Sequence, residues 1–433
     1  MNAHSKAEKE LLEELSGLPV IDTHEHLPPE SQLAQASPDV FDLLVPYVCD
    51  LLISAGMPRR DWDIVMDKAI SFKRRWELLE PWLPPVRHTA YFEAVEKSIV
   101  FACGENTLTG ETAARISSIL AERAEPELYR KIFSRLHIES ALTFVHYDEM
   151  SGYAGSILRT VPTVSHITPA NRSEIMKIET ESGCRVSTLQ KLEGAIEKLF
   201  EGYAASGVRA VKFGNAYQRT LDFGIRDRAA AERVFEKAAS TVTHGNTDML
   251  GRPEPALRQE ELIPLDNYLT HFMVDAAAAA GLPVIFHTGF HAWTRNRPDR
   301  CRPENLTGLI ESHPETVFVL LHSGIPFVKE AVLLAAYYPN VHINMTWMHI
   351  IDRLQAVDAV GTYLQMLPLN KISAFGGDYL YVENIAGHLQ ICLENLAQAF
   401  SREMGSGRIE KQDCIEICRL WLYDNPKQLF RLP

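Results

Sequence analysis

Residues 18–26 read LPVIDTHEH, a short apolar and β-branched run that closes on two histidines. Side chains two apart in a strand point the same way, so His24 and His26 face one point while Glu25 faces the other side. Two imidazoles that converge at a strand end form half of a zinc-type ligand set. Taken alone, the pair also fits a plain loop, so the prediction of a metal site depends on the other predicted strands.

Seven further short apolar runs follow and alternate with helical patterns, which is typical of a parallel sheet. Eight such strands predict an α/β fold, a (β/α)8 TIM barrel, with its active site at the carboxyl ends of the strands. Since such barrels routinely run to about 250 residues or more as one unit, we predict a single domain over residues 1–433. The predicted strands are Leu18–His24, Ile138–Val145, Ile157–His166, Val208–Phe213, Pro283–His287, Thr316–His322, Val341–Thr346 and Ile372–Gly377.

Residues 30–135, between the first two strands, exceed the usual loop length and are mostly helical in pattern. We expect a helical insertion that acts as a lid over the barrel mouth. Its predicted helices are Phe41–Leu52, Trp62–Glu80, Ala90–Phe101 and Glu111–Arg123. A second long stretch, residues 215–262, mixes Gly, Asn, Arg and Pro with one helix near Ala229–Ala239.

The composition of the 433 residues, 46% hydrophobic and 23% charged, is that of an ordinary globular protein. A formal net charge of -13 disfavours nucleic acid as a partner. No apolar run reaches the roughly 18–20 residues that a membrane span needs, and no signal-type segment opens the chain. The seven cysteines are scattered and odd in number, which predicts reduced thiols. We therefore expect a cytoplasmic protein.

Polar residues close three more of the predicted strands. His287, His322 and Asp378 each end an apolar run beside a glycine. An unpaired His or Asp at the end of a buried strand is costly unless something satisfies it, and a metal ion would satisfy several at once. Each residue taken singly also fits a hydrogen-bonded or helix-capping role. Their shared placement at one end of the barrel favours a functional site.

Together these motifs resemble the amidohydrolase superfamily, in particular its amidohydrolase-2 branch of aminocarboxymuconate-semialdehyde decarboxylase-like enzymes, with a distant likeness to uronate isomerases. The resemblance covers nearly the whole chain. It implies His24, His26, His287 and Asp378 as metal ligands, and His322 as a general acid/base or a second-metal ligand. The motifs are IDTHEH at 21–26, AVKF at 210–213, FHTG at 286–289, LHSG at 321–324, FGGDY at 375–379 and NPKQLF at 425–430.

The resemblance also implies one divalent ion, with zinc the usual occupant in such families. Three imidazoles and a carboxylate leave a position for water, whose pKa such an ion lowers toward about 7. Asp378 would serve as a catalytic residue by taking the proton of that water. His322 would shuttle protons to a leaving group or a carbon centre.

Three functions fit these residues. The first, which we predict, is that of a metal-dependent hydrolase acting at a carbonyl, ester, amide or lactone carbon of a small, carboxylated substrate. The second is non-hydrolytic chemistry on the same site, as a uronate isomerase or a decarboxylase. The third, an inactive barrel that serves as a scaffold, is disfavoured because a scaffold has no need for unpaired polar groups at strand ends. The oligomeric state stays open, with a homo-oligomer among the options.

Lys212 ends the fourth predicted strand and has three interpretations: a carbamylated bridge between two metals, a lysine that binds substrate, or a partner in a simple salt bridge. We favour a mononuclear site and a substrate-binding lysine. Tyr217, Arg219, His291 and Trp347 follow strand ends and are predicted to bind substrate. His146 and His166 also close strands, but core histidines are common, so we interpret them as structural. Weaker candidates at the mouth are Arg59, Arg60, Arg87, His88, Arg295, His349, Tyr379 and Tyr381.

Overall fold

A computed structural model of the protein describes residues 6–32, 37–123, 127–153, 157–241 and 257–433. Its eight strands form one parallel sheet in chain order. Backbone hydrogen bonds join the two outer strands, from Thr23 N to Phe375 O at 3.2 Å and from Asp378 N to His24 O at 2.7 Å. The predicted barrel is therefore confirmed. The strands are β1 Val20–Glu25, β2 Ile138–His146, β3 Leu158–Thr163, β4 Val211–Phe213, β5 Val284–Phe286, β6 Phe318–Leu320, β7 Val341–Asn344 and β8 Ile372–Ser373.

Several predicted strands extend too far at their carboxyl ends, the eighth by four residues, because β8 ends at Ser373 and the prediction at Gly377. The prediction Ile157–His166 runs into the 3-10 turn Val164–Ile167, and the prediction for β6 runs into the turn Leu321–Gly324. In the second turn His322 and Ser323 adopt left-handed backbone angles, with φ of 58° and 52°. A residue in that conformation cannot continue a strand ladder, so the chain leaves the sheet there.

The α-helices surround the sheet, as alternating strands and helices require. Among the described residues, none of them is both long enough and apolar enough to span a lipid bilayer. Residues 242–256, in the mixed stretch after β4, lie outside the described part of the chain. The helices are Lys6–Leu15, Tyr47–Ser54, Arg59–Met66, Phe72–Leu79, Ala90–Cys103, Gly110–Arg123, Leu128–Arg135, Arg172–Ser182, Leu189–Ser206, Arg228–Ser240, Gln259–Ala279, Thr307–Ser312, Val328–Tyr337, Met348–Ile351, Arg353–Met366, Asn384–Gly405, Lys411–Arg419 and Asn425–Leu429.

The insertion between β1 and β2 is helical, as predicted, but the prediction of one continuous helix over Trp62–Glu80 is wrong. The chain breaks after Met66 because the carboxylate of Asp67 accepts a hydrogen bond from Ala69 N at 2.9 Å. Ser71 then caps a new helix by accepting from Arg74 N at 3.4 Å. Short polar side chains that bond to nearby backbone favour such breaks.

The insertion has its own hydrophobic cluster, which is continuous with the barrel mouth. Phe41, Trp62 and Phe92 pack in this cluster together with Trp347, which follows β7, and Tyr379, which follows β8. The insertion therefore covers the carboxyl ends of the last two strands. That end of a barrel is where active sites lie.

Candidate active site

Three predicted ligands converge at the mouth. Nε2 of His24 lies 3.1 Å from Oδ1 of Asp378, and Nε2 of His26 lies 3.3 Å from the same oxygen. The two Nε2 atoms are 3.3 Å apart. Ligand atoms around a tetrahedral zinc-type ion, with bonds of about 2.0–2.1 Å, lie about 3.3 Å from one another. The three donor atoms thus have the spacing of ligands to one ion, and we call these residues the ligand trio.

Strand geometry positions this trio. Along β1, His24 and His26 face the barrel axis, where Phe144 of β2 stacks on the His24 ring at 3.7 Å. Glu25 points the other way and is buried, and its Oε2 accepts a hydrogen bond from Tyr379 N at 2.8 Å. The alternation read from the sequence is therefore present in the structure.

The pair of glycines before Asp378 allows two strand ends to approach closely. A Cβ at Gly376 would lie 2.1 Å from Oγ1 of Thr346, and a Cβ at Gly377 would lie 1.9 Å from Oε1 of Glu25. Any side chain there would displace the strand end. The motif Phe375-Gly376-Gly377-Asp378 thus brings the carboxylate to the histidines of β1.

The charge states of the trio suit a cation. Burial alone would raise the pKa of Asp378, but the nearby His24 and His26 outweigh it and hold that pKa well below its usual range. Burial lowers the pKa of His24 well below its usual value, so its imidazole is neutral. A carboxylate and a neutral imidazole are the forms in which these residues bind metals.

His287 and His322 form a second pair beside the trio. Nε2 of His287 lies 3.0 Å from Phe290 O, and Nδ1 of His322 lies 3.0 Å from Thr346 O. Burial lowers the pKa of His322 to about 4, so the ring is neutral. Each ring donates its proton to a carbonyl, which leaves Nδ1 of His287 and Nε2 of His322 as lone pairs 3.2 Å apart. Two facing lone pairs are favourable only with a proton or a cation between them. The ligand role of His287 stays a prediction, because its nitrogens lie against His322 and Phe290 O.

Lys212 at β4 lies among these groups without a polar partner. Its residue is only 6% exposed, and no described residue forms a hydrogen bond or ion pair with Nζ. The ammonium lies 5.0 Å from the ring centre of Phe144. Burial lowers the pKa of Lys212 to about 7, partly offset by Asp378. This leaves a basic group free for an acidic ligand.

Three of the other predicted substrate residues surround the histidine pair. The Tyr217 ring lies 4.6 Å from His287 and 4.7 Å from His291. Trp347 contacts His322 edge to face at 5.3 Å. Nε2 of His291 and Nε1 of Trp347 are buried and have no hydrogen-bond partner among the described residues. Both groups are therefore available to a ligand.

The structure does not bring Arg219 to this group. Its Nη1 donates to Asp266 at 2.9 Å, and its other nitrogens donate to the carbonyls of Thr220 and Asp222. A guanidinium held this way has little capacity left for a substrate. Among the weaker candidates, His349 donates from Nε2 to Ala374 O at 2.9 Å and is fully buried. Protein partners also engage the side chains of Arg59, Arg60, Arg87 and Tyr381, and the backbone N–H of Tyr379 donates to Glu25.

Sequence reasoning underrated two histidines. A cavity of about 650 Å³ opens beside His26, and His146 and His166 line it. Their rings stack at 4.9 Å. The interpretation of both as core histidines is therefore wrong. The signal was present, because each follows a predicted strand in the same way as His287 does.

Comparisons with known proteins agree with the barrel fold. A family model described as Amidohydrolase matches residues 189–432. A uronate isomerase from Thermotoga maritima has a similar structure, with a TM-score of 0.77 and 16% identity over 98% of this chain and 97% of that chain. A glucuronate isomerase from Caulobacter crescentus gives 0.78 and 18% over 98% and 94%.

Two further proteins are similar in structure or in sequence. A Lactobacillus casei protein assigned as a metal-dependent hydrolase gives a TM-score of 0.63 and 14% identity over 97% of each chain. In sequence, 134 residues are 30% identical to protein fluG of Emericella nidulans, which covers 30% of this chain and 14% of that protein. The similarity to fluG thus concerns a small part of a much longer protein.

Proposed function

This chain belongs to the amidohydrolase family, and from that membership we propose an enzyme that uses one divalent metal ion, Zn²⁺, on a small carboxylated substrate. The observation that carries the proposal is the convergence of His24, His26 and Asp378 on one point. Two imidazoles and a carboxylate are donors that suit zinc among the borderline ions. The buried ammonium of Lys212 beside them supports an acidic substrate.

In this proposal each residue has a distinct task. The ligand trio holds the ion, which supplies Lewis-acid polarisation of a bound oxygen. Lys212 binds the substrate carboxylate, because a desolvated ammonium without a protein partner gains most from an anion. His322 exchanges a proton at Nε2, and Asp378 accepts one from the reacting group. Tyr217, His291 and Trp347 exclude water from the same side and orient the substrate.

Of the reactions open to such a site, we favour non-hydrolytic isomerisation of a uronic acid. Support comes from the fold shared with uronate isomerases along nearly the entire chain, insertion included. Isomerisation of an aldose to a ketose moves one proton from C2 to C1 and one from a hydroxyl to the carbonyl oxygen, and it consumes no water. Both transfers lie within the capacity of His322 and Asp378.

Hydrolysis of an ester, amide or lactone is the second candidate. It is favoured by the family description and by the likeness to the assigned metal-dependent hydrolase. The same trio would then act on water instead of on a substrate hydroxyl. Decarboxylation differs from both because it releases carbon dioxide.

One assay separates these reactions. The zinc-loaded chain is incubated with glucuronate in D₂O and followed by proton NMR, with lactones, amides and aromatic carboxylates in parallel and gas release monitored. We expect a ketose product from glucuronate, with the His24→Ala variant inactive and the His137→Gln variant fully active, because His137 is exposed at the amino end of β2, away from the mouth. Turnover of a lactone or amide and none of glucuronate would select hydrolysis. Equal activity of wild type and His24→Ala would remove the metal proposal itself.

A further inference from the structure

A histidine–carboxylate dyad lies near the ligand trio, and its histidine lines the cavity that opens beside His26. His146 is the last residue of β2, and its Nδ1 contacts Oδ1 of Asp148. The side chains are 32% and 21% exposed, so the dyad is neither core nor open surface. The other oxygen of Asp148 lies 3.8 Å from Nζ of Lys177. Side chains with this exposure can contact a ligand that enters the cavity from solvent.

The strand fixes how far the dyad lies from the trio. Phe144 stacks on His24, and His146 follows two residues later on the same face of β2. Two residues of strand rise correspond to about 6.6 Å toward the mouth. A molecule held at the trio therefore reaches the His146 ring only if it extends several atoms along the barrel axis.

The protonation of the dyad follows from its partners. A carboxylate only accepts, so Nδ1 of His146 carries the proton that it donates to Asp148. Nε2 then has the free lone pair, and it is the nitrogen left to meet a ligand in the cavity. A carboxylate that fixes the tautomer of a histidine and stabilises its cation is the arrangement of catalytic His–Asp pairs.

We propose that His146 and Asp148 are a second proton-transfer unit of this active site, acting on a hydroxyl at the end of the substrate remote from the ligand trio. The inference rests on the proposed function, because it assumes a small molecule bound at the trio. As that hydroxyl closes the chain into a cyclic hemiacetal, its oxygen forms a C–O bond to the carbonyl carbon near the ligand trio, and Nε2 accepts the proton of the breaking O–H bond while the imidazolium pairs with Asp148. The electron pair of the former C=O double bond moves to the carbonyl oxygen, which takes the proton, and ring opening is the reverse. Neither an oxidant nor a co-reactant is needed. The substrate class is a chain-like polyhydroxy acid.

The surroundings of the dyad mix charges of both signs. Groups that face it from neighbouring elements include Lys177, Glu174 and Glu181 of the helix Arg172–Ser182, His166 after β3 and His26 after β1. Another His–Asp contact, between buried His313 and exposed Asp275 at 2.8 Å, lies outside the residues that line this cavity. The His146 dyad differs from it because it combines the contact with access to a ligand.

The first test needs no substrate. In the zinc-loaded full chain, nitrogen-15 shifts of histidine side chains report the tautomer of His146, assigned by its loss in His146→Gln. We expect the Nδ1–H form in the wild type and the Nε2–H form in Asp148→Asn, whose amide donates instead of accepting. The Nε2–H form in the wild type would overturn the inference. So would an unchanged tautomer in Asp148→Asn.

The second test measures kcat and KM with glucuronate, or with the compound that the assay above selects. We expect Asp148→Asn to lower kcat by about a hundredfold or more with KM little changed, as for other tautomer-fixing carboxylates. Glu181→Gln removes an exposed carboxylate close enough to repel Asp148, and it should leave kcat within about twofold.

Chemical rescue separates a catalytic role from a structural one. We expect added imidazole to restore part of the kcat that His146→Ala loses, because the cavity of about 650 Å³ admits it. Absence of rescue together with normal kcat in Asp148→Asn would contradict the proposed proton-transfer role of His146 and Asp148. Zinc content should remain at the wild-type level in all these variants. If the proposed function itself is wrong, His24→Ala loses zinc but keeps its activity.

Discussion

Oδ1 of Asp378 lies within 3.1 Å of Nε2 of His24 and 3.3 Å of Nε2 of His26, so one carboxylate oxygen bridges two imidazoles from the opposite edge of the sheet. A single negative charge thus faces two imidazole rings. If both Nε2 atoms carry a proton and donate it to this oxygen, neither has a lone pair left for the other Nε2, which is 3.3 Å away. A cation between the three atoms removes this conflict. The arrangement therefore has the electrostatics of a cation site.

Asp378→Asn should remove the metal while preserving the shape of the site. The amide is nearly isosteric but carries no charge, and it leaves two neutral imidazoles as the remaining ligands. We expect zinc content after dialysis to fall from about one ion per chain to less than about a tenth. Elemental analysis measures it. Asp299→Asn, which removes an exposed carboxylate paired with Arg297, serves as the control. Full zinc retention by Asp378→Asn would argue against this carboxylate as a ligand.

Two buried lysines should respond oppositely to replacement by methionine. Lys212 is buried and its Nζ donates no hydrogen bond to any described residue, whereas Nζ of Lys371 donates to the carbonyls of Tyr338, Pro339 and Val341. Lys212→Met should leave the free energy of unfolding unchanged or raise it by up to about 2 kcal/mol. Lys371→Met should lower it by about 2–4 kcal/mol, because three carbonyls lose their donor.

Urea unfolding of the metal-free proteins measures both effects. Lys212→Met should also raise KM for a carboxylated substrate at least about tenfold, since that ammonium is the proposed anion partner. A clear loss of stability in Lys212→Met would mean that the ammonium has a stabilising partner in solution.

Two glycines also form a matched pair. A Cβ at Gly377 meets Oε1 of Glu25 at 1.9 Å, while a Cβ at Gly194, in the helix Leu189–Ser206, meets nothing within 4 Å. Gly377→Ala should lower the free energy of unfolding by about 1–3 kcal/mol through overpacking. It should also weaken zinc binding, because Asp378 is the next residue. Gly194→Ala should raise stability by about 0.5–1 kcal/mol. Denaturant midpoints that move the same way in both variants would contradict this reading.

Acid should destabilise the fold through His349. Burial lowers its pKa from 6.5 to about 4, and Asn395 Nδ2 lies 3.4 Å from its Nδ1, so a second ring proton would meet a donor. Above pH 6.5 the ring is neutral in both folded and unfolded chains, and pH has no effect through this group. Between about pH 6.5 and 4 the unfolded chain binds a proton that the folded chain does not. The free energy of unfolding therefore decreases as the pH is lowered through this range, by about 1.4 kcal/mol per pH unit.

Urea titrations of the metal-free chain from pH 8 to pH 4 test this expectation. His349→Gln should have a lower overall stability but a shallower pH slope than the wild type. The comparison matters because other buried histidines contribute to the total. Parallel curves for wild type and His349→Gln would show that this ring takes up its proton in the folded state.

The barrel and the ligand trio were predictable because both follow from local patterns. β-branched runs mark the strands, and the carboxyl ends of parallel strands meet, so His24, His26 and Asp378 had to lie close together. The strand lengths were not predictable. His322 and Trp347 leave the sheet with positive φ although neither is glycine, and no residue type in the sequence announces such a turn.

Side-chain partners across the fold were equally hidden. Arg219 was predicted to bind substrate, but its partner Asp266 comes 47 residues later on a helix. His287 was placed correctly at the mouth, yet its ring orientation depends on the carbonyl of Phe290 in the following loop. Periodicity reports which face a residue occupies. It does not report which neighbour completes its hydrogen bonds.

The seam between β1 and β8 has a consequence for how this protein acquires its metal. One candidate ligand lies on the first strand, the second follows its end and the third follows the last strand, so the set is complete only after the chain has closed on itself. Contacts between such distant segments form late in folding, because loop-closure entropy opposes them. An ion that binds the closed barrel better than an open one then stabilises the closed form by mass action. Metal supply would thus set how often the seam opens, and hence how well the chain survives proteolysis.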